Sequence, residues 1–197
     1  PGGSSATNAS RAARTRFWAP VAATLLGAGA IVLATVGVRP DWRAAAALPM
    51  FWFKMALPAS VGVAAAVCLH RLGHPGTRWR DAALAIAVPL AIAWLAAGYM
   101  LGSAPEAQRG ALVLGRSLLQ CVIAIPVLSI PAFALAFRAA RSLVPTRLAL
   151  TGAVAGLAAG AAAAFAYALY CDEMQAPFLA TWYVMGMAVP ALAGAVA

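Results

Sequence analysis

The sequence contains little charge, and most of the charge that it has is positive. Only 10% of its 197 residues are charged, with 14 Lys and Arg against five Asp and Glu, whereas 64% are hydrophobic. A soluble domain of this length cannot cover so much apolar surface with so few charges. The composition therefore predicts an integral membrane protein. Its basic residues are expected to fix orientation and contact lipid headgroups of the bilayer, with no direct binding of nucleic acid.

Catalytic and redox motifs are also scarce. The three cysteines form no C-x-x-C or C-x-x-C-H pattern, which excludes a dithiol oxidoreductase and a c-type haem protein. The two histidines form no H-E-x-x-H pattern, and the sequence has no glycine-rich phosphate loop. We therefore expect that the protein is not an enzyme and requires no cofactor.

Long apolar runs make up most of the chain. About 20 helical residues cross ~30 Å of hydrocarbon, and these runs are continuously apolar rather than alternating, which excludes a transmembrane barrel. The prediction is an all-α polytopic membrane protein in which a flexible cytoplasmic tail, residues 1–16, precedes a six-helix transmembrane domain, residues 17–197. The six predicted spans are 17–38, 48–69, 82–101, 117–137, 148–170 and 178–197.

The basic residues indicate the orientation of these spans. Nine Lys and Arg fall on one side and five on the other, so the richer side is predicted to be cytoplasmic and both termini lie inside. Three of the nine precede the first span, and the other six lie between later spans. Those six are candidate contacts for a cytoplasmic partner: Arg71, Arg78, Arg80, Arg138, Arg141 and Arg147. Lys54, on the poorer side, is expected to extend outward toward the membrane surface.

The fifth span contains Gly152, Gly156 and Gly160, which form a doubled G-x-x-x-G pattern on one helix face. Small residues at this spacing let another helix approach closely. We favour packing within the monomer, which would make the fifth helix central. The alternative is a homodimer seam.

Two cysteines share the predicted outer side. Cys171 ends the fifth span, and Cys121 lies about 7 Å deep in the fourth. They could form a disulfide, bind a soft metal ion transiently or react with an oxidant, or they could be small apolar filler. The depth difference closes if the fifth helix ends before Cys171 and the corner folds back. Candidate auxiliary ligands follow Cys171: Asp172, Glu173 and Met174.

Several motifs together resemble those of a known family. They are Val36–Asp41, Pro49–Lys54, His70–Gly76, Cys121, Thr151–Gly156 and the corner Cys171–Tyr183. In this order and spacing the chain resembles the NrsF-like family of six-helix bacterial inner-membrane anti-sigma factors. These proteins restrain sigma factors of the extracytoplasmic-function class.

The resemblance implies a stress-response regulator of transcription. The family's two periplasmic-side cysteines correspond to Cys121 and Cys171 and would detect a signal, with heavy metals as one inducer class. Where the family has histidine before the second cysteine, this sequence has Tyr170, which disfavours an imidazole–thiolate metal site. Residues Pro1–Ser10 stand where the family has a cytoplasmic segment expected to dock the sigma factor. Either part of the docking surface is missing from this sequence or docking uses the basic loops.

The leading hypothesis is therefore a transmembrane anti-sigma factor that senses a thiol, metal or oxidant signal outside and releases a sigma factor inside. The alternative is a small transporter or binding protein for soft metal ions, with the outer sulfur atoms as its entry site. A transporter is expected to have polar residues through the membrane midplane, but the spans are almost wholly Ala, Val, Leu, Ile and Gly there. A purely structural subunit is a third hypothesis.

Overall fold

The computed structural model describes residues 39–73, 79–141 and 147–197, together with the single positions 27, 30, 34 and 37. The side chains of residues 79 and 139–141 are outside this description. The predicted tail 1–16, almost all of the first predicted span 17–38, and Arg78 therefore lie outside the described residues. Gly27, Ala30 and Ala34 within that span are helical.

Seven helices lie within residues 39–73, 79–141 and 147–197, and no described residue is in a strand. Five of them are long and apolar enough to cross a membrane, and they match the second to sixth predicted spans. The all-α membrane fold is thus confirmed, while the total of six spans and their orientation stay predictions. The helices are α1 Trp42–Ala46, α2 Pro49–Leu72, α3 Trp79–Ser103, α4 Glu106–Leu114, α5 Leu118–Arg141, α6 Leu148–Ala168 and α7 Ala176–Val196.

Local sequence accounts for several of the boundaries. Pro49 occupies the first turn of α2, where its missing N–H costs no hydrogen bond. Gly115, between α4 and α5, has φ +58°, and a Cβ there would overlap the ring of Phe178. The short helices α1 and α4 were not predicted, because each has fewer residues than a span and α4 has only a one-sided apolar pattern.

The long helices run antiparallel, which gives the bundle two distinct ends. The cysteine end is where α2, α5 and α7 begin and α3 and α6 end, and it contains Cys121 and Cys171. Contacts between distant segments hold this end together, such as the indole Nε1 of Trp182, which donates to the carbonyl of Val113 at 2.7 Å. The arginine end is the opposite one and contains Arg71, Arg80, Arg138 and Arg147.

Helix α6 lies at the centre of the bundle and packs against α2, α5 and α7. Its closest contact is with α7, along its three-glycine face. A Cβ on Gly152 would overlap the carbonyl of Gly194, and one on Gly156 would overlap that of Pro190. A Cβ on Gly160 would lie 3.0 Å from Met187 Cα. These glycines therefore face another helix of the same chain, and a homodimer would need a different surface.

The outer surface of the bundle is apolar. Helix α3 exposes Leu84, Val88 and Leu95, and α5 exposes Leu119 and Ile123. Large contiguous apolar surfaces are rare on soluble monomers. Such a surface is what a helix bundle presents to the hydrocarbon of a bilayer.

Candidate functional site

Two thiols meet at the cysteine end. Cys121 lies in the first turn of α5, and Cys171 follows the end of α6. Because α6 ends at Ala168, two residues earlier than predicted, the chain turns back and brings the two Sγ atoms to 3.8 Å. Both side chains are buried, at 0% and 3% exposure, and neither forms a disulfide in this structure. The third cysteine, Cys68, is buried near the arginine end.

Hydroxyl groups surround the thiol pair. The Oγ of Ser117 lies 3.8 Å from the Sγ of Cys121 and 3.9 Å from that of Cys171. The Cys121 thiol points at the hydroxyl oxygen of Tyr167, 3.8 Å away. These are weak sulfur contacts. They give each sulfur a polar neighbour in an otherwise apolar core.

The carboxylate of Glu173 supports the pair from the side. Its Oε1 accepts hydrogen bonds from the backbone N–H groups of Arg116 at 2.5 Å and Ser117 at 3.3 Å. A carboxylate at these free N–H groups caps the start of α5 and complements the helix dipole. Glu173 therefore fixes the position of the helix that carries Cys121.

The other two candidate ligands differ in their surroundings. Asp172 is exposed at the edge of a cavity, and Met174 packs against the hydrophobic core. No group of three or more His, Cys, Asp or Glu side chains that could hold a metal ion occurs within residues 39–73, 79–141 and 147–197. The structure therefore brings the two thiols together without a third His, Cys, Asp or Glu ligand in the described residues.

Lys54 is placed differently from the sequence expectation. It does not extend outward: its side chain is 0% exposed, and its Nζ donates to the backbone carbonyl of Cys171 at 2.5 Å. The Nζ also lies 5.8 Å from the centroid of the Tyr183 ring. The physical reason is the turn after α6, whose free carbonyl groups offer the ammonium an acceptor inside the protein. The prediction that Lys54 points outward was wrong.

Tyr183 is the buried aromatic residue beside Lys54. It closes a π-helical turn, Leu179–Tyr183, inside α7, and turns of this kind are frequent at functional sites. Its side chain is fully buried, and its hydroxyl has no hydrogen-bond partner in the described structure. An unsatisfied buried hydroxyl beside a thiol pair is a ready donor for a newly formed anion.

An open cavity of about 640 Å³ leads to the thiols. Its walls come from the segment before α1, the start of α5 and the end of α6. Cys171 is part of the lining, whereas Cys121 lies behind it. The lining residues are Arg39, Pro40, Asp41, Ser117, Gln120, Tyr167, Tyr170, Cys171 and Asp172. A small solute can therefore reach Cys171 from the cysteine end.

The surroundings of Cys171 favour its anionic form. The hydrogen-bonding contact with the Cys121 thiol lowers the pKa of the Cys171 thiol, burial opposes this, and the charge of Lys54 lowers the pKa further. The net direction is below the ordinary pKa of a cysteine. At the rim, the guanidinium of Arg39 bonds the carboxylate of Asp41 through two contacts of 2.6 Å and lowers the pKa of Asp41.

Comparison with known proteins shows to which protein family the chain belongs. Residues 4–197 match the family described as "NrsF: Negative regulator of sigma F". The chain belongs to the NrsF family. It is 39% identical over 179 residues to the "Probable anti-sigma-F factor NrsF" of Azospira oryzae, covering 90% of this chain and 81% of that protein. It is 35% identical over 165 residues to the "Anti-sigma-F factor NrsF" of Caulobacter vibrioides, covering 83% and 77%. No solved structure matches.

Membership in the NrsF family confirms two predictions made from the sequence. The resemblance stated there is correct, and the family is one of regulators rather than enzymes. The match does not test the roles of individual residues. The sensing role of Cys121 and Cys171, the auxiliary ligands and the contacts to a partner stay predictions for this NrsF-family protein.

The arginine end presents the candidate partner contacts. Arg80, Arg138 and Arg147 are exposed, and Arg71 is half-buried. Arg141 belongs to the last turn of α5, although its side chain is outside the description, and Arg78 lies outside the described residues. Residues of α2, α3, α5 and α6 pack into one core at this end, so these arginines share one face of the NrsF-family bundle.

The sequence reasoning missed Lys54, Tyr167 and Tyr183 as members of the site. A lysine six residues into an apolar span was a usable signal, because a charge at that depth is costly unless it has a partner. The tyrosines carried no such signal, since aromatic residues near span ends are common at membrane surfaces.

Proposed function

We propose that this protein is an anti-sigma factor of the bacterial inner membrane. It would bind a sigma factor of the sigma-F type, in the extracytoplasmic-function class, at its arginine end, and release it when the thiol pair at the cysteine end reacts. The observation that carries this proposal is the pair itself. Two buried, unbonded thiols lie 3.8 Å apart at the end of the bundle opposite the arginines, and one of them, Cys171, lines a cavity.

Exposed cations support the proposed docking face. Of the five acidic residues in the sequence only Asp81 lies at the arginine end, so this face is strongly positive. A positive face attracts and orients a partner with an acidic surface. The orientation that puts this end in the cytoplasm follows from the distribution of Lys and Arg and forms part of the proposal.

Oxidation is one event that the pair could detect. Joining the sulfurs as a disulfide releases two protons and two electrons, which a hydroperoxide accepts as it is reduced to water and an alcohol. The sulfurs must then approach by about 1.8 Å, because a disulfide bond is about 2.0 Å long. This contraction would pull the start of α5 toward the end of α6.

Binding of a soft metal ion is the second event. An ion held like zinc, about 2.3 Å from each sulfur with a tetrahedral angle, would place the sulfurs about 3.8 Å apart. That is their present separation, so such an ion fits without contraction. Its remaining positions would be filled by water or by the hydroxyl of Ser117, and both thiols would lose their protons.

Helices α5 and α6 are the proposed link between the two ends. Cys121 and Arg138 lie near opposite ends of α5. Cys171 and Arg147 lie just beyond opposite ends of α6. Pro126 and Pro131 interrupt the hydrogen bonding of α5, so this helix can tilt against α6. A change in the sulfur spacing would then alter the arrangement of the exposed arginines.

A soft-metal transporter is less well supported. The residues lining the cavity all belong to the cysteine end, and the described buried polar side chains beyond it are only Ser129 and Thr151. An ion path through the midplane would need further polar groups. Retention of a labelled soft metal by vesicles without translocation would distinguish the two functions.

Co-purification of a sigma factor with membranes tests the proposal. Membranes containing the protein should retain a tagged sigma-F, and treatment with hydroperoxide should release it. Deletion of the gene should raise transcription of the sigma regulon without an inducer. Unchanged transcription in the deletion strain, with the sigma gene present, would contradict the anti-sigma function.

A further inference from the structure

The buried ammonium of Lys54 has no carboxylate partner in the described structure. The ion pairs there are Arg39 with Asp41 and Arg109 with Glu106, and neither includes Lys54. A lysine is almost never fully buried without a partner, because the charge loses its hydration. The carbonyl of Cys171 and the ring of Tyr183 provide dipoles but no negative charge.

The titratable and charged groups around Cys171 come from every element packed against it. They are Lys54 from α2, Cys121 from α5, Tyr167 from α6, Tyr183 from α7, Arg39 before α1, and Asp172 and Glu173 on its own loop. The carboxylates of Asp41 and Glu173 already bind Arg39 and the start of α5, and that of Asp172 is exposed. The thiols are therefore the acidic groups available to balance Lys54.

Two geometric observations distinguish the two thiols. The hydrogen bond from Lys54 goes to the backbone of Cys171, which fixes the ammonium beside that residue. Cys171 also lines the cavity, whereas Cys121 is fully buried behind it. The cysteine whose backbone binds the fixed cation is thus also the one that a solute meets first.

We propose that Lys54 is the counter-charge of a Cys171 thiolate, so that Cys171 is the sulfur that reacts first and Cys121 the one that reacts second. Loss of the Cys171 proton to water in the cavity leaves a thiolate beside the ammonium of Lys54, and the two groups together carry no net charge. Lys54 is then a positioning residue that acts through Cys171. The biological meaning of this order of reaction rests on the proposed function. The order itself can be measured without any sigma factor.

The direct test measures alkylation of each cysteine. The full chain in lipid nanodiscs is treated with less than one equivalent of iodoacetamide between about pH 5 and pH 9, the range around the free thiol pKa. Peptide mass spectrometry then quantifies Cys121 and Cys171 separately. In the unmodified sequence Cys171 should be labelled at least about tenfold faster than Cys121 at neutral pH, since only the thiolate reacts.

Variants of Lys54 distinguish the effect of its charge from the effect of its size. Lys54→Met, which is neutral and of similar length, should raise the pH midpoint of Cys171 labelling by at least about one unit. Lys54→Arg should keep the original midpoint. Arg39→Met is the matched control and should change the midpoint less than Lys54→Met, because Arg39 is already paired with Asp41. Lys54→Gln serves as the neutral variant if Lys54→Met does not accumulate.

Two results would overturn the proposal. One is an identical midpoint for Cys171 in the unmodified chain and in the neutral Lys54 variants. The other is faster labelling of Cys121 than of Cys171. Either result leaves the test of sigma-factor retention intact, and a failure to retain a sigma factor leaves the order of labelling unaffected.

Discussion

The two ends of the helix bundle use charge in opposite ways. At the cysteine end, Arg39 is paired with a carboxylate and Lys54 is buried against a backbone carbonyl. At the arginine end, Arg80, Arg138 and Arg147 are exposed. Charges enclosed by the protein shift the pKa values of neighbouring groups, whereas exposed charges of one sign attract partners of opposite charge. This difference supports the proposal that one end detects the signal and the other docks the partner.

The close packing of α6 against α7 connects the two ends of the bundle. Forcing these two helices apart is expected to cause the largest loss of folded protein. In Gly156→Leu the new side chain would overlap the backbone at Pro190, which no rotamer change can relieve. The amount of folded protein in membranes should fall at least about tenfold, an effect of ~1.4 kcal/mol or more. Gly98→Leu is the matched control, because Gly98 is also helical but has open space around it. Equal accumulation of the two variants would show that the close packing is dispensable.

Removing either thiol should abolish the response while leaving docking intact. Cys121→Ser and Cys171→Ser should each eliminate induction of a sigma-dependent reporter, and the double variant should be no worse than either single one, since two sulfurs form one site. Cys68→Ser is the control, because Cys68 is equally buried but lies at the other end. Partial and additive losses would indicate two independent sites.

Reversing exposed charge should weaken docking without affecting the thiols. Arg138→Glu and Arg80→Glu, each made alone, should reduce sigma retention by membranes about threefold to tenfold, with a larger difference at low salt. Arg109→Glu changes charge equally at the cysteine end and should leave retention unchanged. If all three substitutions acted alike, the effect would reflect net charge rather than a docking face.

The smallest expected effect is the loss of stability when the helix cap that Glu173 forms on α5 is weakened. Glu173→Gln weakens the cap on α5 and should lower the free energy of unfolding by about 1 kcal/mol, with a slower response rather than a lost one. Asp172→Asn is the control, because Asp172 is exposed. Denaturation in detergent would measure the difference. Equal stability of the two variants would mean that the Glu173 contact does not hold α5.

Much of the fold could be predicted from the sequence because length and apolarity determine a membrane span. The second to sixth spans match helices of the described chain within a few residues, and the cysteines of the pair were expected to lie at one end. Lys54 was misplaced because its acceptor, the carbonyl of Cys171, is 117 residues away in the sequence. The π-helical turn that positions Tyr183 likewise depends on packing between helices, so no local sequence pattern predicts it.

The central claim is that Cys121 and Cys171 act as one switch that controls the distant arginine end. The most direct measurement follows disulfide formation and sigma release in the same membranes during titration with hydroperoxide. The account predicts that the Cys121–Cys171 disulfide and the released sigma factor increase together, and that both disappear in either single cysteine variant. Release of the sigma factor while both thiols stay reduced, or a complete disulfide with the sigma factor still bound, would contradict it.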